Sequence, residues 1–241
     1  MESKYIEYDF LKSYDRIKEI IGSSDDSFEE LNVIPSRDKL TFANGFYVNC
    51  SALFVDIRNS STLPGLHTRP KLAKLYRVFI SEVVAVMTGD ENCAEVNVVG
   101  DCVSSILNTP YRRDIDSAFA IAYTTSSLID IINYQFKQNR IEQISVGIGM
   151  SYGRALTIKA GFSGSGINYV VWMGDVVNEA SRLASYGNQT GYDKEIMVSR
   201  ALYDNLNEDN KKLLAWNLTR NCFHGNIVRT DMNQWFRDNC K

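Results

Sequence analysis

The 241-residue sequence predicts an α+β domain, in which helices pack on a mainly antiparallel sheet with a βαββαβ core. Three observations carry this prediction. A short β-branched segment at 51–57 precedes an amphipathic helical pattern over 69–87. Two β-rich segments joined by a Gly-Asp dipeptide follow at 93–107. A second helical pattern then leads to a buried, glycine-containing strand at 143–153.

The first strand, "SALFVDI", has Asp56 near its end, as expected of a buried strand that delivers a carboxylate at its tip. The helix after it has Pro70 near its first turn, where a missing N–H costs nothing. Its apolar residues recur at helical spacing: Leu72, Leu75, Tyr76, Phe79, Ile80, Val83 and Met87. These features indicate an amphipathic helix packed on the sheet.

The hairpin "CAEVNVVGDCVSSIL" turns at Gly100, because glycine tolerates the positive φ of a tight turn. Asp101 is therefore expected at an exposed tip. The next helix is indicated by Phe119, Ala122, Ile129, Ile132 and Phe136.

A further strand, "INYVVWM", precedes a helix that Asp175 is expected to cap and Gly187 to end. Val177, Ala180 and Ala184 supply its packing side. Asn178 and Arg182, four residues apart, share one helical face. The spacing by itself is common on protein surfaces. Residues 1–47 are predicted to form an N-terminal helical extension, and residues 48–241 the main domain.

Composition excludes several classes of function. The chain is 44% hydrophobic and 23% charged, with a net charge of −3 and scattered Lys and Arg. We therefore expect neither a nucleic-acid nor a membrane partner. Five cysteines without a CxxC motif predict reduced thiols, and with the lack of signal-peptide features they predict a cytoplasmic protein. The sequence has two histidines, too few to predict a histidine metal site, so a bound metal is expected to have oxygen ligands.

Asp56 and Asp101 converge if their strands are neighbours, and paired carboxylates suit two divalent cations that hold a triphosphate. Taken singly, each aspartate is equally typical of an ordinary turn. Small residues between them, Asn59, Ser60 and Ser61, leave backbone N–H groups free to bind phosphate oxygens. Together these residues predict phosphoryl-transfer chemistry.

Four motifs in order resemble those of the class III nucleotide cyclases over residues 48–236: "LFVDIRNSSTL", "NVVGDCVSSIL", "VGIGMSYGRALTIKAG" and "WMGDVVNEASRL". The resemblance implies a ferredoxin-like core with a C-terminal extension and a head-to-tail homodimer with two composite active sites. It implies that Asp56, the Ile57 backbone carbonyl and Asp101 bind two Mn²⁺ or Mg²⁺ ions.

The same resemblance assigns the remaining catalytic roles. Asn178 holds the ribose, and Arg182 stabilises the charge that develops on the α-phosphate, both from the partner protomer. Arg229, in a loosely aligned stretch, would contact the terminal phosphates.

The base-recognition positions depart from the family pattern. ATP-using members carry Lys and Asp there, and guanylate cyclases carry Glu and Cys, whereas this chain has Asn97 and Val171. An Asn amide offers a donor and an acceptor, which can meet the edge of uracil or of cytosine, and Val171 adds an apolar wall. The chain thus resembles the pyrimidine cyclases of bacterial Pycsar anti-phage systems. That implies UTP, or alternatively CTP, as substrate and a separate effector protein activated by the cyclic product.

Three alternatives remain at this point. A purine cyclase could recognise its base through other residues. A catalytically inactive cyclase-like module would bind a nucleotide or partner without turnover. A diguanylate cyclase or polymerase palm shares a similar sheet, but the sequence lacks a GG[DE]EF motif. Trp172, beside Val171, is interpreted as core packing.

Overall fold

The computed structural model describes residues 5–162 and 169–240. The N-terminal segment forms helix α1 (Phe10–Ile21) and strand β1 (Phe28–Leu31), which runs parallel to the start of β2 (Gly45–Ile57). The helix was predicted and β1 was not. This segment therefore contributes a strand to the sheet. The division of the chain at residues 47 and 48 stays a prediction.

The predicted βαββαβ core is confirmed in its order and in the type of every element. After β2, a 3₁₀ turn (Ser60–Thr62) and the short helix α2 (Leu63–Leu66) lead into the main helix. The elements that follow are α3 (Arg69–Thr88), β3 (Cys93–Val99), β4 (Cys102–Leu107), α4 (Arg112–Gln138) and β5 (Val146–Ala160).

The C-terminal part adds β6 (Tyr169–Met173), α5 (Asp175–Tyr186), β7 (Ile196–Val198), α6 (Arg200–Asn205), α7 (Glu208–Lys212), β8 (Ala215–Asn217), β9 (Cys222–Gly225) and α8 (Thr230–Asn239). The strand predicted at 167–173 matches β6, except for positions 167 and 168, which lie outside the described residues.

The N-cap of α5 differs from the prediction. Gly174 is the cap, with φ 141°, and Asp175 is the first helical residue. A Cβ at Gly174 would lie 2.8 Å from the Arg154 carbonyl oxygen, so glycine is required there by both conformation and space. Asp175 still lies in the first turn, where a negative charge is favourable. Gly187 ends the helix as predicted.

The sheet is mainly antiparallel, as predicted. Its strand order is β3-β4-β2-β5-β7-β9-β8, with β1 beside the start of β2 and β6 beside the end of β5. Among the described strands, only the β1–β2 and β5–β7 pairs are parallel.

The two faces of the sheet carry different structures. Leu53, Val55 and Ile57 of β2 point to one side, which we call the core face, where they pack with α3 and α4. Ala52, Phe54 and Asp56 point to the other side, which we call the α5 face because Val176 and Ala180 of α5 pack there. The two helices of the βαββαβ core thus share one face, and α5 covers the other.

Among the described residues, α4 is the one helix long and apolar enough to cross a membrane. Its buried side chains, including Ile115, Phe119 and Ile129, belong to the apolar cluster on the core face. That packing accounts for the apolar character of α4.

Candidate active site

Strand register places Asp56 and Asn97, two of the predicted site residues, in adjacent rows on the α5 face. Directly opposed residues of neighbouring strands share a face, and successive residues on that face lie about 7 Å apart along a strand. The first row is Val99, Cys102, Asp56 and Gly147; the second is Asn97, Ser104, Phe54 and Gly149; the third is Glu95, Ile106, Ala52 and Ser151. Asp56, predicted to bind metal, and Asn97, predicted to contact the base, therefore occupy neighbouring rows. Val171 is not in these rows: it pairs with Ile158, which pairs with Gly45, so it has the strand parity of the core face.

The structure brings Asp56 and Asp101 together, as neighbouring strands require. Asp56 pairs with Cys102, and Asp101 is the residue before it, in a turn that Gly100 enters with φ 62°. Burial raises the pKa of the Asp56 carboxyl; the Arg58 guanidinium lowers it, and the nearby Asp101 charge raises it. The two carboxylates are thus close enough to repel each other.

Arg58 contacts the candidate site, and the sequence analysis missed it. Its guanidinium forms an ion pair with Asp56 and donates from NH1 to the Ser185 carbonyl oxygen at 2.7 Å. Only 13% of its side chain is exposed. Arg58 therefore connects the Asp56 carboxylate to the C-terminal end of α5. A basic residue two positions after Asp56 was visible in the sequence, but its contact with a helix 127 positions away was not.

The carboxylate pair fits a hard divalent cation through the chemistry of its donors. Asp56, Asp101 and the Ile57 carbonyl offer oxygen atoms, which Mg²⁺ and Mn²⁺ prefer. Within the part of the chain that the structure describes, no cluster of three or more His, Cys, Asp or Glu side chains forms a complete metal site. Phosphate oxygens of a nucleotide would have to complete the coordination, as is usual for Mg²⁺.

The predicted phosphate-binding segment lies directly after β2. Asn59 adopts a left-handed conformation with φ 54°, and Ser60 starts the 3₁₀ turn. The Asn59 carbonyl accepts hydrogen bonds from the Thr62 N–H and hydroxyl at 3.0 and 2.8 Å. The first N–H groups of such a turn lack acceptors within the turn. Phosphate binding by Asn59, Ser60 and Ser61 remains a prediction.

Helix α5 lies directly on β5 because two glycines leave room for it. A Cβ at Gly149 would be 2.1 Å from the Ala180 carbonyl oxygen, and one at Gly147 would be 2.1 Å from the Ala184 carbonyl oxygen. The close backbone approach predicted for these glycines is confirmed. Because these two glycines have no side chain, the helix that carries Asn178 can lie against the backbone of β5.

Asn178 and Arg182 point away from the sheet, and both are exposed. The Arg182 NH2 lies 3.7 Å from Glu179 Oε1, and Glu179 Oε2 accepts a hydrogen bond from the Ser151 hydroxyl at 2.9 Å. This geometry leaves the amide and the guanidinium accessible to a ligand or to a second protomer.

The structure brings Asn97 into contact with the strand that carries Val171. Tyr169 of β6 donates its hydroxyl to Asn97 Oδ1, and Asn97 Nδ2 donates to Glu95 Oε1 at 3.3 Å. Trp172 Nε1 donates to Glu95 Oε2 at 3.1 Å. The packing role expected of Trp172 is confirmed, since it contacts the apolar cluster of the α5 face, but its indole N–H also has a polar partner.

Glu95 and Tyr169 are further residues that the sequence analysis missed. Glu95 lies two positions before Asn97, and this alternation was a usable signal that both point to one side of the strand. Tyr169 lies 72 positions from Asn97, so no local pattern could reveal its contact.

Arg229 is not brought to the carboxylate pair within one chain. Its guanidinium forms two hydrogen bonds with Asp231, at 2.8 and 2.9 Å. Its backbone N–H donates to Ser127 of α4, which packs on the core face, whereas Asp56 lies on the α5 face. The expectation that Arg229 sits beside the other phosphate-binding residues is not met in the single chain.

Comparison with known proteins places this arrangement in a family. The model of the adenylate and guanylate cyclase catalytic domain matches residues 43–235. The chain belongs to the class III nucleotide cyclase family. Class III membership is consistent with the order of the four motifs and with the positions of Asp56, Asp101, Asn178 and Arg182.

Two relatives are named uridylate cyclases. One, from Gulbenkiania mobilis, is 37% identical over 99% of this chain and 100% of its own length. The other, from Treponema porcinum, is 37% identical over 87% of this chain and 73% of its own length.

A solved structure shares the fold. It is a class III adenylyl cyclase-like ATP-binding protein from Pseudomonas aeruginosa, with a TM-score of 0.72 and 18% identity. The match covers 93% of this chain and 48% of that protein, so this chain spans about half of its length.

Proposed function

We propose that this cyclase converts UTP to 3′,5′-cyclic UMP and pyrophosphate. The observation that carries the proposal is the 37% identity, over 99% of the chain, to a protein named uridylate cyclase. Asn97 supports a pyrimidine, because its amide offers one donor and one acceptor to the edge of a base. The pair of residues typical of adenine or guanine recognition is missing at positions 97 and 171.

In the proposed reaction the ribose 3′-oxygen forms a bond to the α-phosphorus, while the bond from that phosphorus to the bridging oxygen breaks. The hydroxyl proton passes to solvent, and pyrophosphate leaves. Two divalent cations, when bound, neutralise triphosphate oxygens and lower the pKa of the hydroxyl. Asp56, Asp101 and the Ile57 carbonyl would hold them.

Two residues of α5 would act directly on the reacting groups. Arg182 stabilises the negative charge that develops on the α-phosphoryl oxygens, and Asn178 holds the ribose so that its 3′-oxygen is aligned for attack. Their exposed positions on the outer side of α5 leave them free to reach these groups.

We propose a head-to-tail homodimer with two composite sites. Asp56 and Asp101 occupy the ends of β2 and the β3–β4 hairpin, whereas Asn178 and Arg182 point outward from α5. A second chain that places its carboxylates against this outer surface would unite both sets.

Further aspects of the proposal rest on the resemblance to pyrimidine cyclases of anti-phage defence. The cyclic nucleotide would act in the cytoplasm on a separate effector protein. Five free cysteines fit a reducing compartment. CTP is the second candidate substrate, because an Asn amide can meet the edge of either pyrimidine.

The first experiment incubates the purified protein separately with UTP, CTP, ATP and GTP in the presence of Mn²⁺, and identifies products by mass spectrometry. We expect cyclic UMP, and no product from the Asp56→Ala variant. Cyclic AMP or cyclic GMP as the main product would refute the pyrimidine proposal. An absence of product from all four nucleotides would favour an inactive regulatory module.

A second experiment tests the composite site. Asp56→Ala and Arg182→Ala are each expected to be inactive as homodimers. Co-expressed in equal amounts, they form mixed dimers in half of the assemblies, each with one intact site, so activity should return to about a quarter of wild type. Failure of the mixture to regain activity would contradict the head-to-tail arrangement.

A further inference from the structure

We propose that Glu95 sets the preference between uracil and cytosine by fixing the orientation of the Asn97 amide. The inference rests on the proposed function, since it assumes that Asn97 contacts a pyrimidine base. Glu95 is a positioning residue in this proposal, because it acts on the base through Asn97.

Glu95 is a buried carboxylate surrounded by hydrogen-bond donors. It is 7% exposed. Its Oε1 accepts from Asn97 Nδ2 at 3.3 Å, and its Oε2 accepts from Trp172 Nε1 at 3.1 Å. Arg37 NH2 lies 3.4 Å from the same Oε2. A carboxylate only accepts hydrogen bonds, so each neighbour must present a donor.

This requirement determines which end of the Asn97 amide faces Glu95. Only Nδ2 can donate, so the amide nitrogen lies toward Glu95, and Oδ1 lies toward Tyr169, whose hydroxyl donates to it. The amide is therefore held at both ends. One N–H of Nδ2 and one lone pair of Oδ1 are left for a ligand, in a fixed order.

The order of donor and acceptor is what distinguishes the two pyrimidines. Uracil presents the O4 acceptor beside the N3–H donor, whereas cytosine presents the N4–H₂ donor beside the N3 acceptor. A base held in one pose thus pairs with one orientation of the amide, and its counterpart pairs with the inverted orientation. An Asn that was free to rotate would accept either base.

Glu95→Gln should invert the amide without removing a hydrogen bond. Trp172 and Arg37 can only donate, so the side-chain oxygen of the substituted amide stays on their side and its NH₂ group faces Asn97. Asn97 must then present Oδ1 to that group and turn Nδ2 toward Tyr169, whose hydroxyl can accept. The substitution nearly preserves volume, so the change is one of hydrogen-bond polarity.

The test compares kcat/KM for UTP and CTP in wild type and Glu95→Gln. We expect the ratio of the two values to shift by at least about tenfold, away from the base that wild type prefers, because one or two hydrogen bonds become mismatched. In the Asn97→Ala background, Glu95→Gln should leave the ratio unchanged, since the residue through which it acts is gone.

A second variant covers the case in which Glu95→Gln does not fold. Tyr169→Phe removes the hydroxyl that holds Oδ1 at the start of β6, and it should reduce the ratio by a smaller factor in the same direction. An unchanged ratio in both variants, or equal losses of kcat/KM for UTP and CTP, would overturn the inference.

Measurements on wild type and on the variants separate the activity of the enzyme from the role of Glu95. If wild type forms no cyclic pyrimidine nucleotide, the proposed function fails and the inference fails with it. If wild type discriminates between UTP and CTP while both variants keep that ratio, only the role of Glu95 is refuted.

Discussion

The two faces of one sheet contrast sharply, although the same strands form both. On the core face, Leu53, Val55 and Ile57 pack with large side chains of α3 and α4, such as Phe79 and Phe119. On the α5 face, Phe54 of the same strand alternates with them and lies between the small Ala52 and the polar Asp56. Because successive side chains of a strand point to opposite faces, a residue packed in the core is followed by one that faces α5 and the candidate site. Substitutions on the core face should change stability, and those on the α5 face should change activity.

Gly149→Ala should have the largest effect, because it acts on both properties. Its Cβ would lie 2.1 Å from backbone atoms of Ala180 and Ala184. Helix α5 must therefore move away from β5 by roughly an ångström. We expect a loss of stability above the roughly 1–3 kcal/mol typical of overpacking. We also expect about a 10²-fold loss of kcat, because Asn178 and Arg182 move with the helix. Urea unfolding and steady-state kinetics measure the two effects.

Gly153→Ala is the matched control for that substitution. Gly153 lies in the same strand, but among the described residues a Cβ there would meet only the Val176 Cβ, at an ordinary 3.6 Å. Both properties should stay close to wild type. Equal damage from the two substitutions would show that glycine flexibility, and not the space for α5, is what β5 requires.

Phe79→Ala tests the core face alone. Phe79 is 0% exposed, and truncating a buried Phe costs about 3–5 kcal/mol. The urea midpoint should fall accordingly, while kcat of the folded fraction stays within about twofold. Val78→Ala on the same helix, at a residue 37% exposed, should cost within about 0.5 kcal/mol. A large loss of kcat in folded Phe79→Ala protein would mean that the two faces are coupled.

Arg182→Ala tests the catalytic role proposed for the outer surface of α5, away from the core face. Removing a donor that stabilises transition-state charge commonly lowers the rate by about 10²–10³-fold, and we expect this loss in kcat. Because 62% of the Arg182 side chain is exposed, the free energy of unfolding should change by less than about 0.5 kcal/mol. Arg200→Ala, at another exposed arginine, should change neither property. A kcat near wild type for Arg182→Ala would remove it from the proposed mechanism.

Glu195→Gln should have the smallest effect, and one that depends on pH. Burial raises the pKa of Glu195 from 4.5 to about 7, so the folded chain holds the proton more tightly than the unfolded chain does. The contribution of Glu195 to wild-type stability should therefore fall as pH rises from about 4.5 to about 7.

The amide does not titrate, so Glu195→Gln should lose less stability over that range and gain roughly 1–3 kcal/mol relative to wild type by pH 8. Thermal unfolding at several pH values measures the difference. Glu208→Gln, at a side chain 81% exposed, retains Glu195 and should therefore follow the wild-type pH profile. Parallel pH profiles for wild type and Glu195→Gln would contradict this assignment.

Local patterns made much of the fold predictable from the sequence. Apolar periodicity located α3 and α4, and the Gly100-Asp101 turn placed Asp101 beside the end of the strand that carries Asp56. Strand β1 was missed because three of its four residues are exposed, which leaves no alternation to detect. The cap of α5 was misplaced by one residue, since only the structure shows the positive φ of Gly174.

Residues of the candidate site could be predicted only where a local sequence pattern determines their position. The contacts of Arg58 with Ser185, and of Glu95 with Trp172, join residues 127 and 77 positions apart. Tertiary packing decides these contacts, and one sequence without an alignment carries no signal for them. For Arg229, in contrast, the sequence analysis predicted a site contact that the single chain does not form. Its guanidinium pairs with Asp231, and its backbone N–H donates to α4.

The register of β5 limits how this protein can vary. Residues 146–158 each pair with a residue of β2, and Gly147 and Gly149 must both face α5. Inserting one residue before them would turn both glycines toward α4 and present Ile148 and Met150 to the helix. Helix α5 would then have no flat surface on which to lie. Insertions or deletions of one residue in this strand should therefore abolish activity, even where every catalytic side chain is retained.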